Sequence, residues 1–367
     1  MNGLVYAAGR PWPQLLRSVL DQLDGDAAPA PLGLVFLADP TTEMADIMLD
    51  GLRQRTGIQT WLGAASTAVF AGGRELIGEG AIAALPLPLE GVTLHPFAGS
   101  PPTGAEEATC GILHVPDAAD AGAAVAALAA RTSAVLTGAQ GSSSFDHAQI
   151  AGSPSAGAAT GVLLSGNVTM VAGITHGCRP LGPAHRVTAG AGSTLSALDG
   201  RAATAWLAEE AGDLVLRDQR QLRRQLVLAQ VPTEVGLAGS SLAPADALFG
   251  IVHADPLRGS IEISGIGLGG GGLPSRIQLF RRDPALALEH LQALAADLLQ
   301  KLGGRPPRAA LFYSSIERGI GFFGPGVDEA TVLGRVLGPV PVIGMRSAAE
   351  VAGTKLTRYA AALALIG

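Results

Sequence analysis

"LGLVFLADPTTEMADIMLDGLRQRTGIQTWLGAAS", residues Leu32 to Ser66, decides the fold class. Leu32–Asp39 is a short apolar run suited to a buried strand. Thr41 or Thr42 then caps a helix, Glu43 sits in its first turn, Arg53 and Arg55 in its last, and Gly57 ends it. Ile58–Ser66 reads as the next strand. Strand, helix, strand makes a βαβ unit, whose crossover is right-handed. "CGILHVPD", an Ala-rich helix at about Ala118–Arg131 and "SAVLTGA" repeat the theme.

Beyond Gly161 the texture changes. The stretch from Gly161 to Gly200 is rich in β-branched residues and broken by Gly, Asn and Pro, which predicts antiparallel strands with tight turns, the first at Ser165-Gly166-Asn167. A short helix is expected near Arg201–Ala211, and Asp246–Asp283 is again antiparallel in character. The clearest helix runs from Pro284 to about Leu302: Asp283 is its N-cap, Pro284 takes the first position, and Leu288, Leu291, Ala295, Leu298 and Leu302 form one apolar stripe. "RAALFYSSI" is then a strand, "VDEATVLGRVLG" a helix, "PVIGM" a strand and "TRYAAALALIG" a closing strand.

One internal echo bears on organisation. "GAASTAVFAG" (Gly63–Gly72) and "GMRSAAEVAG" (Gly344–Gly353) agree at five of ten aligned places, and each follows a strand–helix–strand. The expected architecture is therefore α/β: two related halves with mixed β-sheets flanked by helices. Both small-residue loops follow parallel strands, where ligands bind in open α/β sheets. Only the second carries charge, as Arg346 and Glu350.

Composition narrows the function classes. The 367 residues are 48% apolar, enough for one large or two medium domains. The 50 Gly and 24 Pro make the chain turn-rich, and only 15% is charged, which argues against disorder. A net charge of −6 speaks against a nucleic-acid partner. No segment reaches the ~18 apolar residues that cross a bilayer. "MNGLVYAAGRPWP" lacks a basic leader, and Cys110 and Cys178 make no disulfide framework. A cytoplasmic protein with two free thiols and no membrane association is the expectation.

At "THGCRPLGPAHRVTAGAGSTLSALDGRAA" the chain resembles the FIST domain family, bacterial sensory modules with N- and C-terminal parts. The N-terminal signature reads here as Gly177-Cys178-Arg179-Pro180, Gly182-Pro183, Val187-Thr188 and Leu198-Asp199-Gly200. The C-terminal one reads as Ser314-Ser315-Ile316-Glu317-Arg318-Gly319, then Glu329, then Gly344 with Glu350. Ser315 stands where the family often has Cys, Ala349 where it often has Gly, and Ala64-Ala65-Ser66 lacks a Cys often seen there; these departures bear on any thiol chemistry. The resemblance implies an N-terminal-type domain over 1–211 and a C-terminal-type domain over 212–367. It implies binding rather than catalysis: a small-molecule ligand, with amino acids proposed for the family, and a separate downstream signalling protein. Some members bind haem and sense nitric oxide, so haem is the alternative cofactor to none.

The candidate ligand residues are Arg179, Ser314, Ser315, Arg318, Arg346, Ser347 and Glu350. An arginine in the "GCRP" turn suits a bidentate pair with a ligand carboxylate. A guanidinium beside a carboxylate, as in Arg346 and Glu350, suits a zwitterion. His176 is the candidate axial ligand if haem binds, and its two-residue spacing from Cys178 makes no zinc site. "GIGLGGGG" (Gly265–Gly272) is followed by a strand rather than a helix, so it fails as a phosphate loop. An enzyme acting on a small carboxylate is the third reading, and a homo-oligomer is compatible with all three.

Overall fold

A computed structural model of the chain describes residues 3–23, 30–78, 80–100, 103–117, 121–144, 149–155, 157–212, 218–231, 248–265 and 272–367. Its first unit comprises β1 (Val5–Ala8), α1 (Trp12–Gln22), β2 (Leu32–Ala38), α2 (Ala45–Thr56), β3 (Thr60–Ser66), the hairpin β4 (Ala68–Ala71) and β5 (Arg74–Ile77), and β6 (Ala81–Leu87). The second repeats this order with β7 (Val92–Ala98), β8 (Cys110–Val115), α3 (Ala121–Arg131), β9 (Val135–Gln140), the hairpin β10 (Gln149–Ala151) and β11 (Ser153–Ser155), and β12 (Thr160–Gly166).

The third unit opens with β13 (Met170–Thr175) and is then interrupted. The inserted elements are β14 (Cys178–Ala191), β15 (Thr194–Leu198), β16 (Arg201–Ala202), α4 (Ala203–Ala211), α5 (Gln219–Gln225), β17 (Leu226–Gln230), β18 (Leu248–Asp255), β19 (Ser260–Ser264) and β20 (Arg276–Arg282). The unit resumes with α6 (Pro284–Lys301), β21 (Ala309–Ser315), α7 (Glu329–Leu337), β22 (Val342–Ser347), the hairpin β23 (Ala349–Ala352) and β24 (Lys355–Thr357), and β25 (Ala361–Ile366).

Each unit builds the same sheet core. β2 and β3, β8 and β9, and β21 and β22 are parallel pairs, and β6, β12 and β25 flank them antiparallel. The hairpins are exchanged in a ring: β10 pairs with β3, β23 with β9 and β4 with β22. Among the described residues this gives three six-stranded sheets and a seven-stranded antiparallel one made by the insertion. The echo between Gly63–Gly72 and Gly344–Gly353 is thus a true structural correspondence, but between two members of three; the two related halves become three related units. The second unit is hard to read from sequence because a longer connection, 141–148, separates Gln140 from its hairpin at Gln149, and part of that connection lies outside the described residues. The turn at Ser165-Gly166-Asn167 is real, yet it passes the chain from one sheet to the next instead of closing a hairpin, because β12 pairs with β7 and β8 and β13 pairs with β25. The 211/212 division remains a proposal; in space both sides of it give strands to the inserted sheet. Positions 266–271 of the glycine-rich run lie outside the described residues.

The long helix and the end of α2 form where the sequence signals them, but Thr41 and Thr42 cap no helix: they lie within a tight turn over Thr41–Met44, and α2 starts at Ala45 with no side-chain cap. Asp283 caps α6 by accepting from the Leu286 amide, and Leu291, Ala295 and Leu298 bury its stripe. Gly57 ends α2 at φ 72°, a conformation that favours glycine. The helices cover the outer faces of the sheets: Leu15, Met48 and Leu52 on the first, Val125 and Leu128 on the second, Leu291 and Leu333 on the third. The three inner faces pack on one another in a shared core. Strands buried on both faces read as continuous apolar runs.

The inner core is closed by a repeated position. Val35 faces Gly63, Leu113 faces Gly138 and Phe312 faces Gly344. A Cβ on these glycines would lie 1.5, 1.8 and 1.7 Å from the facing carbonyl oxygen. One residue further along, Phe36, His114 and Tyr313 meet with ring centroids 5.7 to 6.0 Å apart, near edge-to-face. His114 Nε2 and the Tyr313 hydroxyl share a 3.0 Å hydrogen bond. Burial pushes His114 down to about 3, so it is neutral there.

Gly344→Ala is expected to cost at least about 3 kcal/mol, the upper end of overpacking, because the obstruction is backbone. Gly334→Ala in α7, with nothing within 4 Å of the added carbon, is expected to stabilise by about 0.4–1 kcal/mol. Urea denaturation of the two variants checks both signs.

Candidate functional site

Ser314 and Ser315 end β21 and are fully buried. The Ser315 hydroxyl accepts from the Glu317 amide at 3.3 Å and starts a tight helical turn that turns Arg318 inward. From the next helix, Asp328 accepts the Ala330 amide at 2.8 Å as the cap of α7, which places Glu329 at its first position, inside. Arg346 comes from β22, where it faces Ser314.

These side chains close on one another. Arg318 donates to Glu329 Oε1 through Nε at 3.1 Å and Nη2 at 2.8 Å, and to the His176 carbonyl at 2.8 Å. Arg346 donates to Glu329 Oε2 at 3.0 Å and Ser314 Oγ at 2.8 Å, and grips both oxygens of Glu75 at 2.6 and 2.7 Å. Ser314 donates to Glu329 Oε2 at 2.6 Å. Burial alone would raise Glu329, but the two guanidinium charges and the Ser314 hydroxyl hold it below the ordinary carboxylate range. Two cations meet two anions, so the cluster is neutral as a whole. It ties the third unit to the first through Glu75 and to the insertion boundary through His176. A ligand carboxylate reaches Arg318 or Arg346 only by displacing Glu329. Glu329 belongs to the motif that carries the resemblance; nothing in the sequence pointed to Glu75.

Ser347 and Glu350 lie beside this network as a second buried pair. Ser347 Oγ donates to Glu350 Oε1 at 2.6 Å, and the Ala360 amide to Oε2 at 3.3 Å. Burial dominates and pushes Glu350 up to about 8 against these bonds. A hydroxyl beside a carboxyl is the pairing a nucleophile and its base would show. This carboxyl is protonated at neutral pH and holds no proton vacancy for a serine.

Arg179 is placed apart, 60% exposed and paired with Asp283 at 2.5 Å. His176 is buried, with Nε2 3.2 Å from Thr357 Oγ1, and burial with the Arg318 charge pushes it down to about 3. This enclosed, hydrogen-bonded imidazole does not fit an axial haem ligand, since no cleft described below reaches it. Cys110 and Cys178 are buried free thiols, each pushed up to about 11 by burial. Among the described residues no group of three or more His, Cys, Asp or Glu side chains is arranged to hold a metal ion. No helix among them is long and apolar enough to cross a membrane.

Open space lies next to the network instead. A cleft of about 530 Å³ runs between α5, the end of β20 and the turn after Arg318, lined by Arg220, Arg224, Arg281, Arg282 and Phe322. Its one acidic wall residue, Asp218, is committed to capping α5 through the Arg220 and Gln221 amides. Arg282 is buried, donates to the carbonyls of Arg224 at 2.9 Å and Glu317 at 2.5 Å, and stacks 4.3 Å above Phe322. Burial lowers its proton affinity, and among the described residues no carboxylate pairs with it. Arg179 faces Arg281 across β14 and β20 but is not among the residues that line this cleft. Sequence reasoning missed Arg224, Arg281 and Arg282; the run "QLFRRD" closing a strand was their only signal.

Two outcomes test these charges. Glu329→Gln leaves two buried guanidinium groups short of a counter-charge and is expected to lose about 3–5 kcal/mol in chemical denaturation. Glu350 binds a proton in the fold up to about pH 8 and in the unfolded chain only below its ordinary value, so its contribution is full at low pH and falls as pH rises through that window. The stability of wild type minus that of Glu350→Gln therefore declines between pH 5 and 8 with a slope approaching ~1.4 kcal/mol per unit, and a flat difference would contradict the assignment.

Comparison with known proteins places part of this chain. An uncharacterized protein of Mycobacterium tuberculosis (strain CDC 1551 / Oshkosh) is 30% identical over 180 residues, covering 48% of this chain and 45% of its own. An uncharacterized protein of Mycobacterium bovis (strain ATCC BAA-935 / AF2122/97) is 30% identical over 181 residues, covering 48% and 44%. The chain thus spans less than half the length of the curated relatives it matches. Residues 31–201, which run from β2 to β15 and hold the "GCRP" to "LDG" signature, match the FIST N domain, a type that generally serves in sensing.

Proposed function

We propose that this chain is a small-molecule-binding sensory protein whose ligand, a small carboxylate such as an amino acid, sits in the arginine-lined cleft. The observation that carries this reading is Arg282, a buried guanidinium stacked on Phe322 and met by carbonyls rather than a carboxylate. A buried cation with no carboxylate of the described residues in direct contact favours an anionic partner, and the neighbouring arginines add to the field. A cleft of this volume suits a metabolite-sized ligand. Arg179, which faces Arg281 on the neighbouring strand, keeps its proposed ligand role. Ser314, Ser315, Arg318, Arg346, Ser347 and Glu350 act one step behind, since the Glu317 carbonyl that holds Arg282 belongs to the turn that carries Arg318.

In this reading residues 212–367 supply a FIST C-terminal-type part, on the strength of the Ser314–Gly319, Glu329 and Gly344–Glu350 motifs. The protein acts in the cytoplasm and passes its signal to a separate partner. A ligand that drew Arg282 away from the Glu317 carbonyl would reach the buried network through the short turn between Glu317 and Arg318.

Native mass spectrometry of freshly purified protein weighs any retained ligand. Calorimetric titration with amino acids and small dicarboxylates then measures affinity. Arg281→Ala and Arg224→Ala are expected to weaken binding by about 1.5–3 kcal/mol, the scale of a charge-assisted hydrogen bond, with the fold intact. Unchanged affinity in both variants would place the ligand elsewhere.

A further inference from the structure

A second cleft, of about 630 Å³, lies between β9, β13 and the β23–β24 hairpin, away from the arginines. Leu136, Ala172, Ile174 and Val351 supply an apolar wall, and Thr132 and Thr354 bring hydroxyls; among the described residues that line it none is charged. Two strand edges border it. β13 is the outer strand of its sheet, and β9 is joined by β23 only at Ala139 and Gln140.

The first of the three units shows what this place can hold. Ile174 faces Ala362, which faces Tyr313; in the first unit Tyr6 faces Ala83, which faces Phe36. Tyr6 and Ile174 are therefore equivalent positions. Gly72 and Gly353 are the equivalent turn glycines of the hairpins that lie against them, with φ 59° and 60°. At Gly72 an added Cβ would meet the Tyr6 hydroxyl, so a phenol ring lies over that turn. At Gly353 nothing lies within 4 Å, and the residue borders the cleft. The second wall position follows the same trend, since Leu4 in the first unit corresponds to Ala172 in the third. The register is the same in both units, but the third has no aromatic ring where the first has one; in the second unit the equivalent position is Ala98.

We infer that this cleft is a binding site for a neutral aromatic small molecule bearing a hydroxyl, which takes the place that the Tyr6 side chain occupies in the first unit. The apolar wall receives the ring, since burying apolar surface contributes ~25 cal/mol per Å², and the absence of charge excludes a carboxylate. The site is separate from the arginine-lined cleft and takes the opposite chemistry.

The probe is 4-methylphenol, the side-chain analogue of tyrosine, titrated into the full chain and followed by amide shifts in NMR. Saturable shifts confined to residues 132–137, 172–174 and 351–354 are expected. 4-Methylbenzoate, of similar shape but charged, is expected to bind at least tenfold more weakly there. Ile174→Tyr restores the ring from within and is expected to cut 4-methylphenol affinity at least tenfold; Ala172→Leu, which copies Leu4 of the first unit, serves the same purpose if that variant does not fold. Absence of saturable shifts, shifts centred elsewhere, or unchanged affinity in a folded variant would overturn the assignment. Because the arginine-lined cleft is read with carboxylates, failure here leaves that reading intact, and failure there leaves this one.

Discussion

Three carbonyl oxygens, those of Val35, Leu113 and Phe312, occupy the space that a side chain on the neighbouring strand would need. Everything else in the core depends on the glycines opposite them. Because Gly63, Gly138 and Gly344 present no Cβ, each parallel pair closes tightly at the same register, and the following residues, Phe36, His114 and Tyr313, arrive at one point. Three edge-to-face rings there join the three sheets as a common centre. The exchanged hairpins complete the joining, since each unit supplies the strand that extends its neighbour's sheet. A unit removed from this ring would leave an unpaired edge and an uncovered apolar face, so the units stabilise one another rather than themselves.

Against this apolar centre, the buried charge network belongs to the third unit, with Glu75 reaching in from the first. Arg318, Glu329, Arg346 and Glu75 are buried at a cost that only their mutual pairing offsets. The equivalents of Arg346 in the other units are Ala65 and Gln140, and those of Ser314 are Leu37 and Val115. One copy of a repeated scaffold thus holds a charged network where its siblings have apolar residues or, at Gln140, a neutral amide. The same copy carries the seven-stranded insertion, and the cleft with the guanidinium of Arg282 opens where insertion and network meet. Specialisation of one repeat, with the others held as scaffold, is the physical logic that links fold to site.

The elements themselves were legible from local chemistry. Asp283-Pro284 marked the start of the longest helix and Gly57 the end of another, because caps are set by residues adjacent in sequence. The run Leu32–Ala38 read as a buried strand because both its faces are covered. Of the candidate site residues, Ser314, Ser315, Arg318 and Arg346 do meet, with Ser347 and Glu350 beside them, since small and charged residues at the ends of parallel strands gather at one sheet edge. Arg179 does not join them, because its strand belongs to the inserted sheet and its guanidinium is held by Asp283.

The sequence by itself determined the α/β class, the three strand–helix–strand segments, the helix at Pro284 and the family signature, all of which follow from periodicity, caps and short motifs. The tertiary structure alone decided that there are three units rather than two, that their hairpins are exchanged, that Glu75 answers Arg346 across 271 residues of chain, and that Arg282 lines a cleft with no carboxylate of the described residues in an ion pair with it. The reason is the range of the interactions. A cap or an apolar stripe is specified by residues a few positions apart. Strand partners and buried counter-charges are chosen by shape and electrostatics between segments that become neighbours only when the chain has closed on itself.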